Sequence, residues 1–183
     1  MDKGQKKRKS MFREALSWIL YLVIVCGAVY LIVHYVGERT EVRGESMYPA
    51  LNDGDQLIVD KISYRFSDPK RFDVVVFPFQ YQEDTFYIKR IIGLPGEVVQ
   101  IYDGDIYING KRLSESYGKE KIANGGLASK AVTLGEDEYF VMGDNRNNSA
   151  DSREPSVGTI SKADMIGKAL LRIWPLSEIG FLE

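Results

Sequence analysis

From Ala15 to Val36 the chain reads ALSWILYLVIVCGAVYLIVHYV, 22 residues without an Asp, Glu, Lys or Arg. As a helix this run would be about 33 Å long, against a bilayer hydrocarbon core of about 30 Å. A helix buried in a soluble domain normally keeps a polar stripe, and none is visible here. A cleaved leader ending near Gly27-Ala28 would be shorter, because the apolar run continues through Tyr35-Val36. Lipidation at Cys26 would want a small residue where bulky Val25 stands. The pattern therefore predicts a retained transmembrane helix over 15–36.

After the helix the period changes from helical to alternating. GERTEVRGES reads as an extended lead-in. QLIVDKI (56–62), DVVVFPF (73–79), TFYIKRIIG (85–93), EVVQIYDG (97–104) and DIYINGKRL (105–113) are short β-branched and aromatic runs. Turn signals NDGD, SDPK, GLPG, YDGD and ING separate them, with Asp103-Gly104 and Asn109-Gly110 as hairpin pairs. EDEYFVMGDN (136–145) and KALLRIWPL (168–176) predict further strands, and SKADMIG (161–167) a short helical turn. Residues 114–130, SESYGKEKIANGGLASK, are polar and Gly/Ser-rich and read as a mobile loop. The fold class is mainly β and antiparallel, behind one N-terminal helix.

Charge adds direction. Residues 1–14 carry six basic and two acidic side chains, a local +4 within a chain of net −2, leaving the rest at −6. That distribution argues against a nucleic-acid reader, which would concentrate positive charge. KKRK just before the apolar run places residues 1–14 in the cytoplasm and 37–183 outside. The one cysteine, Cys26, lies in the predicted span, so 37–183 holds no disulfide and no thiol nucleophile. One His and one Cys do not make a zinc site. DNRNNS (144–149) fails as a calcium loop, with Arg146 at a ligand position and Ser149 where glycine is needed.

GESMYPAL (44–51) puts Ser46 in a turn, where a nucleophile would stand, and a serine needs a base. The one histidine, His34, belongs to the end of the apolar run and reads as an interfacial residue. A lysine would serve only when neutral, since its free pKa is about 10.4. In TFYIKRIIG strand alternation sets Lys89 between Tyr87 and Ile91, with Arg90 facing the other way. Apolar neighbours and the positive Arg90 would both lower the amine's pKa. Taken alone, the stretch describes a Lys-Arg pair on a solvated strand edge better than it describes a base.

Three stretches in order, GESMYPAL (44–51), YIKRIIGLPGE (87–97) and GDNRNNSADSR (143–153), resemble the signature boxes of type I bacterial signal peptidases. The resemblance runs from about Ala15 to Pro175, and the small size and single anchor resemble the Gram-positive form. It implies an antiparallel β core shared with repressor-type self-cleaving serine–lysine proteins. It also implies Ser46 as nucleophile, Lys89 as general base, and Ser149 as a hydroxyl bonded to the lysine. Asp151 and Arg153 would form a buttressing charged pair, with Asp144 and Arg146 as further structural positions. Gly44 stands where many relatives carry a serine that completes the oxyanion hole. Val42, Met47, Leu51, Tyr87 and Ile88 would form shallow pockets for small residues at −1 and −3 of signal peptides on exported preproteins. An apolar rim near Trp174-Pro175 would meet the lipid bilayer of the bacterial cell membrane. No cofactor, metal or nucleic acid is implied. A repressor-type protein would need a DNA-binding domain that is not seen, and a non-catalytic anchored binding module would not need Ser46, Lys89 and Ser149 together.

Overall fold

The computed structural model describes residues 3–31, 37–82, 84–118 and 120–182. The last five positions of the predicted span, His34 among them, lie outside the described residues. The chain forms two compact units, Met1–Gly37 and Glu38–Glu183. In the first, α1 runs Lys3–Leu31. Its stretch Met11–Tyr30 is long and apolar enough to cross a membrane, and none of it is buried. The core helix of a soluble domain would bury a face.

The second unit is built from short strands: β1 Gly37–Glu41, β2 Gln56–Asp60, β3 Val74–Pro78, β4 Phe86–Gly93, β5 Val98–Tyr102 and β6 Asp105–Ile108. β7 Lys111–Arg112, β8 Val132–Thr133, β9 Glu138–Met142, β10 Ile160–Ser161, β11 Gly167–Trp174 and β12 Gly180–Phe181 follow. They form a sheet ordered β1-β2-β11-β3-β4-β9-β10, with β12 beside β11, and a smaller sheet ordered β7-β6-β5-β8. The described ladders are antiparallel. β2 to β7, β9 and β11 lie where the alternating pattern predicts strands, and β1 lies in the extended lead-in, whereas the two-residue strands β8, β10 and β12 are not anticipated. Val74–Phe77 of β3 is buried on both faces, as suits a central strand read from a continuous apolar run. Asp103-Gly104 and Asn109-Gly110 take positive φ at all four residues, which a two-residue hairpin of this hand requires.

Three apolar clusters hold the unit together. One joins the two sheets through Ile92, Val99, Ile101, Ile106, Phe140 and Met142. A second gathers Val75, Phe77, Ile91, Tyr139 and Val141, and a third gathers Val42, Met47, Leu51, Leu57 and Val74. Fully burying one such side chain stabilises by about 1.5–3 kcal/mol. SKADMIG forms a 3₁₀ turn, Lys162–Asp164, with Ser161 as a capping box. The one-turn helix α2, Ser63–Phe66, is not anticipated by the pattern. Asp60 starts it by accepting from the Ile62 and Ser63 amides.

The polar segment 114–130 is tied to the rest of the unit at a few points. Glu115 pairs with the guanidinium of Arg146, and the Tyr117 ring lies 3.7 Å from that of Arg90. The Asn147 side chain accepts from the Ala123 amide at 2.9 Å and donates to the Lys121 carbonyl at 3.0 Å. Ile122 and Ala128 enter the core. Most of its described side chains are exposed, while Glu115 and Tyr117 turn toward the buried guanidinium groups.

Candidate active site

The nucleophile turn is fixed by its neighbours in sequence and in space. Gly44 has φ +86°, a left-handed conformation that glycine adopts without strain, and its amide donates to Asp53 Oδ1 at 2.7 Å. Val42 exchanges backbone bonds with the NDGD turn, donating to the Asp55 carbonyl at 2.8 Å and accepting from the Gly54 amide at 2.9 Å. Tyr48 and Leu51 then donate to the Glu45 and Met47 carbonyls, closing the turn. This closure drives Met47 and Leu51 into the core, where both are fully buried. They pack beneath Ser46 and are not among the side chains that line the cleft. Gly44 likewise does not line the cleft.

Lys89 reaches the same point from β4. Its amine lies 2.7 Å from Ser46 Oγ and donates to the Ile88 carbonyl at 3.1 Å. The Tyr87 ring centroid is 5.0 Å away, and the lysine is only 4% exposed. Burial pushes its pKa down to about 8; Asp151 and Asp144 oppose that and Arg153 assists it. Arg90 is not the repulsive neighbour expected of it. It faces away and is neutralised by Asp144, donating from Nε at 2.9 Å and Nη2 at 2.8 Å.

The 143–153 segment packs against both groups. β9 stops at Met142, opposite Arg90, and Gly143 turns the chain away. A methyl on Gly143 would collide with the Ser46 carbonyl oxygen and Ser149 Oγ. Asp151 is fully buried; its carboxylate accepts the Gly143 amide at 3.0 Å and is gripped by Arg153 at 2.7 and 2.8 Å. Arg146 donates to the Gly143 carbonyl at 3.0 Å as well as to Glu115. The hydrogen bond from Ser149 to Lys89 implied by resemblance is not formed. Ser149 Oγ is buried without a partner among the described residues, because the amine is directed to Ser46 and Ile88 instead.

A cleft of about 620 Å³ opens over Ser46 and Lys89. One wall is the Arg39–Arg43 segment and the other is Asp84–Lys89. Among the described residues, Phe86–Lys89 pairs on one side only, with β3, so a strand edge faces the cleft. Val42, Tyr87 and Ile88 line it, together with Thr40, Val76 and Phe86, which sequence reasoning missed. Alternation would have flagged Phe86, but nothing local points to Thr40 or Val76. Among the described residues the Ser46 amide has no acceptor, and no cluster of His, Cys, Asp or Glu could hold a metal ion.

Chemically this is a hydroxyl touching a desolvated amine in a cleft bordered by a strand edge. A family model described as signal peptidase, peptidase S26, matches residues 15–174. A probable signal peptidase I-2 from Synechocystis is 40% identical over 154 residues, covering 81% of this chain and 68% of that protein. Signal peptidase I P from Bacillus subtilis subsp. natto is 35% identical over 185 residues, covering 97% of each. A crystal structure of a signal peptidase I from Enterococcus faecalis is 36% identical with TM-score 0.47, covering 56% of this chain and 97% of that one.

Proposed function

Since the chain belongs to the signal peptidase, peptidase S26, family of serine peptidases, we propose that it cuts signal peptides from exported preproteins with a Ser46–Lys89 dyad. The observation that carries this reading is the 2.7 Å contact between Lys89 Nζ and Ser46 Oγ in a site where burial lowers the amine's pKa to about 8. At pH 7 about one lysine in ten would then be neutral, against roughly one in a thousand or fewer for a free lysine.

Neutral Lys89 takes the Ser46 proton as Oγ attacks the scissile carbonyl carbon. The tetrahedral oxyanion receives the unengaged Ser46 amide; the Gly44 amide is already committed to Asp53. The resulting Lys89 ammonium protonates the leaving amine, which departs as the new N-terminus of the mature protein. A water, deprotonated by neutral Lys89, then hydrolyses the acyl-enzyme ester and frees Ser46. Ser149 lies outside this proton path. Asp151, Arg153, Asp144 and Arg146 hold the frame around it.

The substrate adds as a strand along the free edge of β4, with backbone bonds giving affinity and shallow walls giving selectivity. Val42, Tyr87 and Ile88 leave room for alanine-sized side chains at −1 and −3. The α1 helix anchors the enzyme, its basic start in the cytoplasm and the catalytic unit outside.

The test is cleavage by the full-length protein in detergent of a preprotein with Ala at −1 and −3, with N-terminal sequencing of the product. The new N-terminus follows the −1 Ala, and Ser46→Ala and Lys89→Ala each lose at least about a thousandfold in rate. Full activity in either variant ends the dyad reading.

A further inference from the structure

We infer that Asn145 is a positioning residue that aims the Ser46 amide at the oxyanion, an inference resting on the Ser46–Lys89 reading above. Asn145 is bonded twice to a turn 100 positions earlier. Its Nδ2 donates to the Glu45 carbonyl at 3.1 Å, and its backbone amide donates to the Ser46 carbonyl at 3.0 Å. The Glu45 carbonyl and the Ser46 amide are the two ends of one planar peptide unit, which is trans. They point in opposite directions, so fixing the oxygen fixes where the N–H points. The Tyr48 amide also donates to Glu45 O, at 3.1 Å, and the oxygen thus carries a donor for each lone pair. Two donors pulling on the oxygen also polarise the N–H at the other end of the unit.

The lever is itself held rigidly. On one side of Asn145, Asp144 is buried against Arg90; on the other, Arg146 grips the Gly143 carbonyl and Glu115. The second bond, to the Ser46 carbonyl, fixes the next peptide unit, so the Ser46 Cα is held from both flanks. Asn145 is half-buried, and removing its amide leaves Glu45 O open to water rather than stranded. Its loss should therefore disturb aim more than folding.

The experiment compares Asn145→Ala and Asn145→Leu with wild type and Ser46→Ala, all full-length in detergent on the same Ala-x-Ala substrate. Leucine keeps the branched shape and removes the donor without adding charge. Removing an oxyanion donor outright typically costs a hundredfold to a thousandfold in kcat, and misaiming one costs less: about tenfold to a hundredfold. KM stays within about threefold, the pH midpoint of the rate is unchanged, and a peptide aldehyde, whose adduct presents the oxyanion, binds more weakly by the factor lost in kcat. Wild-type kcat in both variants alongside an inactive Ser46→Ala overturns the role of Asn145 and leaves the dyad standing. A loss carried by KM, or by a shifted pH midpoint, assigns Asn145 to general scaffolding and also overturns it. An active Ser46→Ala overturns the reading beneath it.

Discussion

Replacing Lys89 with methionine should destroy activity and make the protein more stable at neutral pH, with a stability gain that fades as pH rises. The amine's pKa falls from 10.5 to about 8 on folding, chiefly through burial. At about 1.4 kcal/mol per unit, keeping the lysine charged in the folded state costs about 3 kcal/mol. The sign follows from proton counting. Between pH 8 and 10.5 the unfolded chain holds a proton that the folded one has lost, so wild-type stability climbs with pH there. Below 8 the cost is present in full, and above 10.5 it is gone. Methionine matches the length of the lysine stem and carries no charge, although it forfeits the bonds to Ser46 Oγ and the Ile88 carbonyl. Setting about 1 kcal/mol against each lost bond still leaves a gain of about 1 kcal/mol at pH 6–7. For a unit of this size that is about 2–4 °C in melting temperature. Thermal unfolding of the full-length protein in detergent at pH 6.5, 8 and 10 reads the difference. A Lys89→Met protein that is less stable at pH 6.5, or whose offset from wild type does not change with pH, refutes the idea that folding strips this amine of its charge.

Asp144→Asn leaves the Arg90 guanidinium, 2% exposed, facing a neutral amide, and breaking a buried pair in this way costs about 3–5 kcal/mol in denaturant unfolding. The Arg90→Met, Asp144→Leu double variant should recover part of that loss, because no charge is left stranded. Ser149→Ala removes a buried hydroxyl that has no partner among the described residues. Its stability should stay equal or rise by up to about 1 kcal/mol, and a loss larger than that would show the hydroxyl to be bonded.

Strands and turns were legible because their signals are local. The alternation in 85–93 sets Lys89 with Tyr87 and Ile91, and the structure buries Ile91 in the cluster against which Tyr87 packs. What failed depended on partners far along the chain. The 114–130 segment is largely exposed as its composition suggests, but nothing local shows that Glu115 and Tyr117 meet Arg146 and Arg90. Met47 and Leu51 are apolar on either reading, and the closure of the 45–51 turn is what buries them beneath Ser46. Arg90 was given the wrong electrostatic part because its counter-charge, Asp144, is 54 positions away. An asparagine in a polar box such as GDNRNNS reads as turn chemistry. Nothing in the sequence ties Asn145 to Glu45.

The central claim is that one buried amine is neutral often enough to act as a base. It is read most directly by titrating that amine in the full-length protein, with 13C placed at lysine Cε and the Lys89 signal assigned by its absence from Lys89→Met. The account predicts a midpoint near 8. A midpoint near 10.4, that of an ordinary solvated lysine, would contradict it.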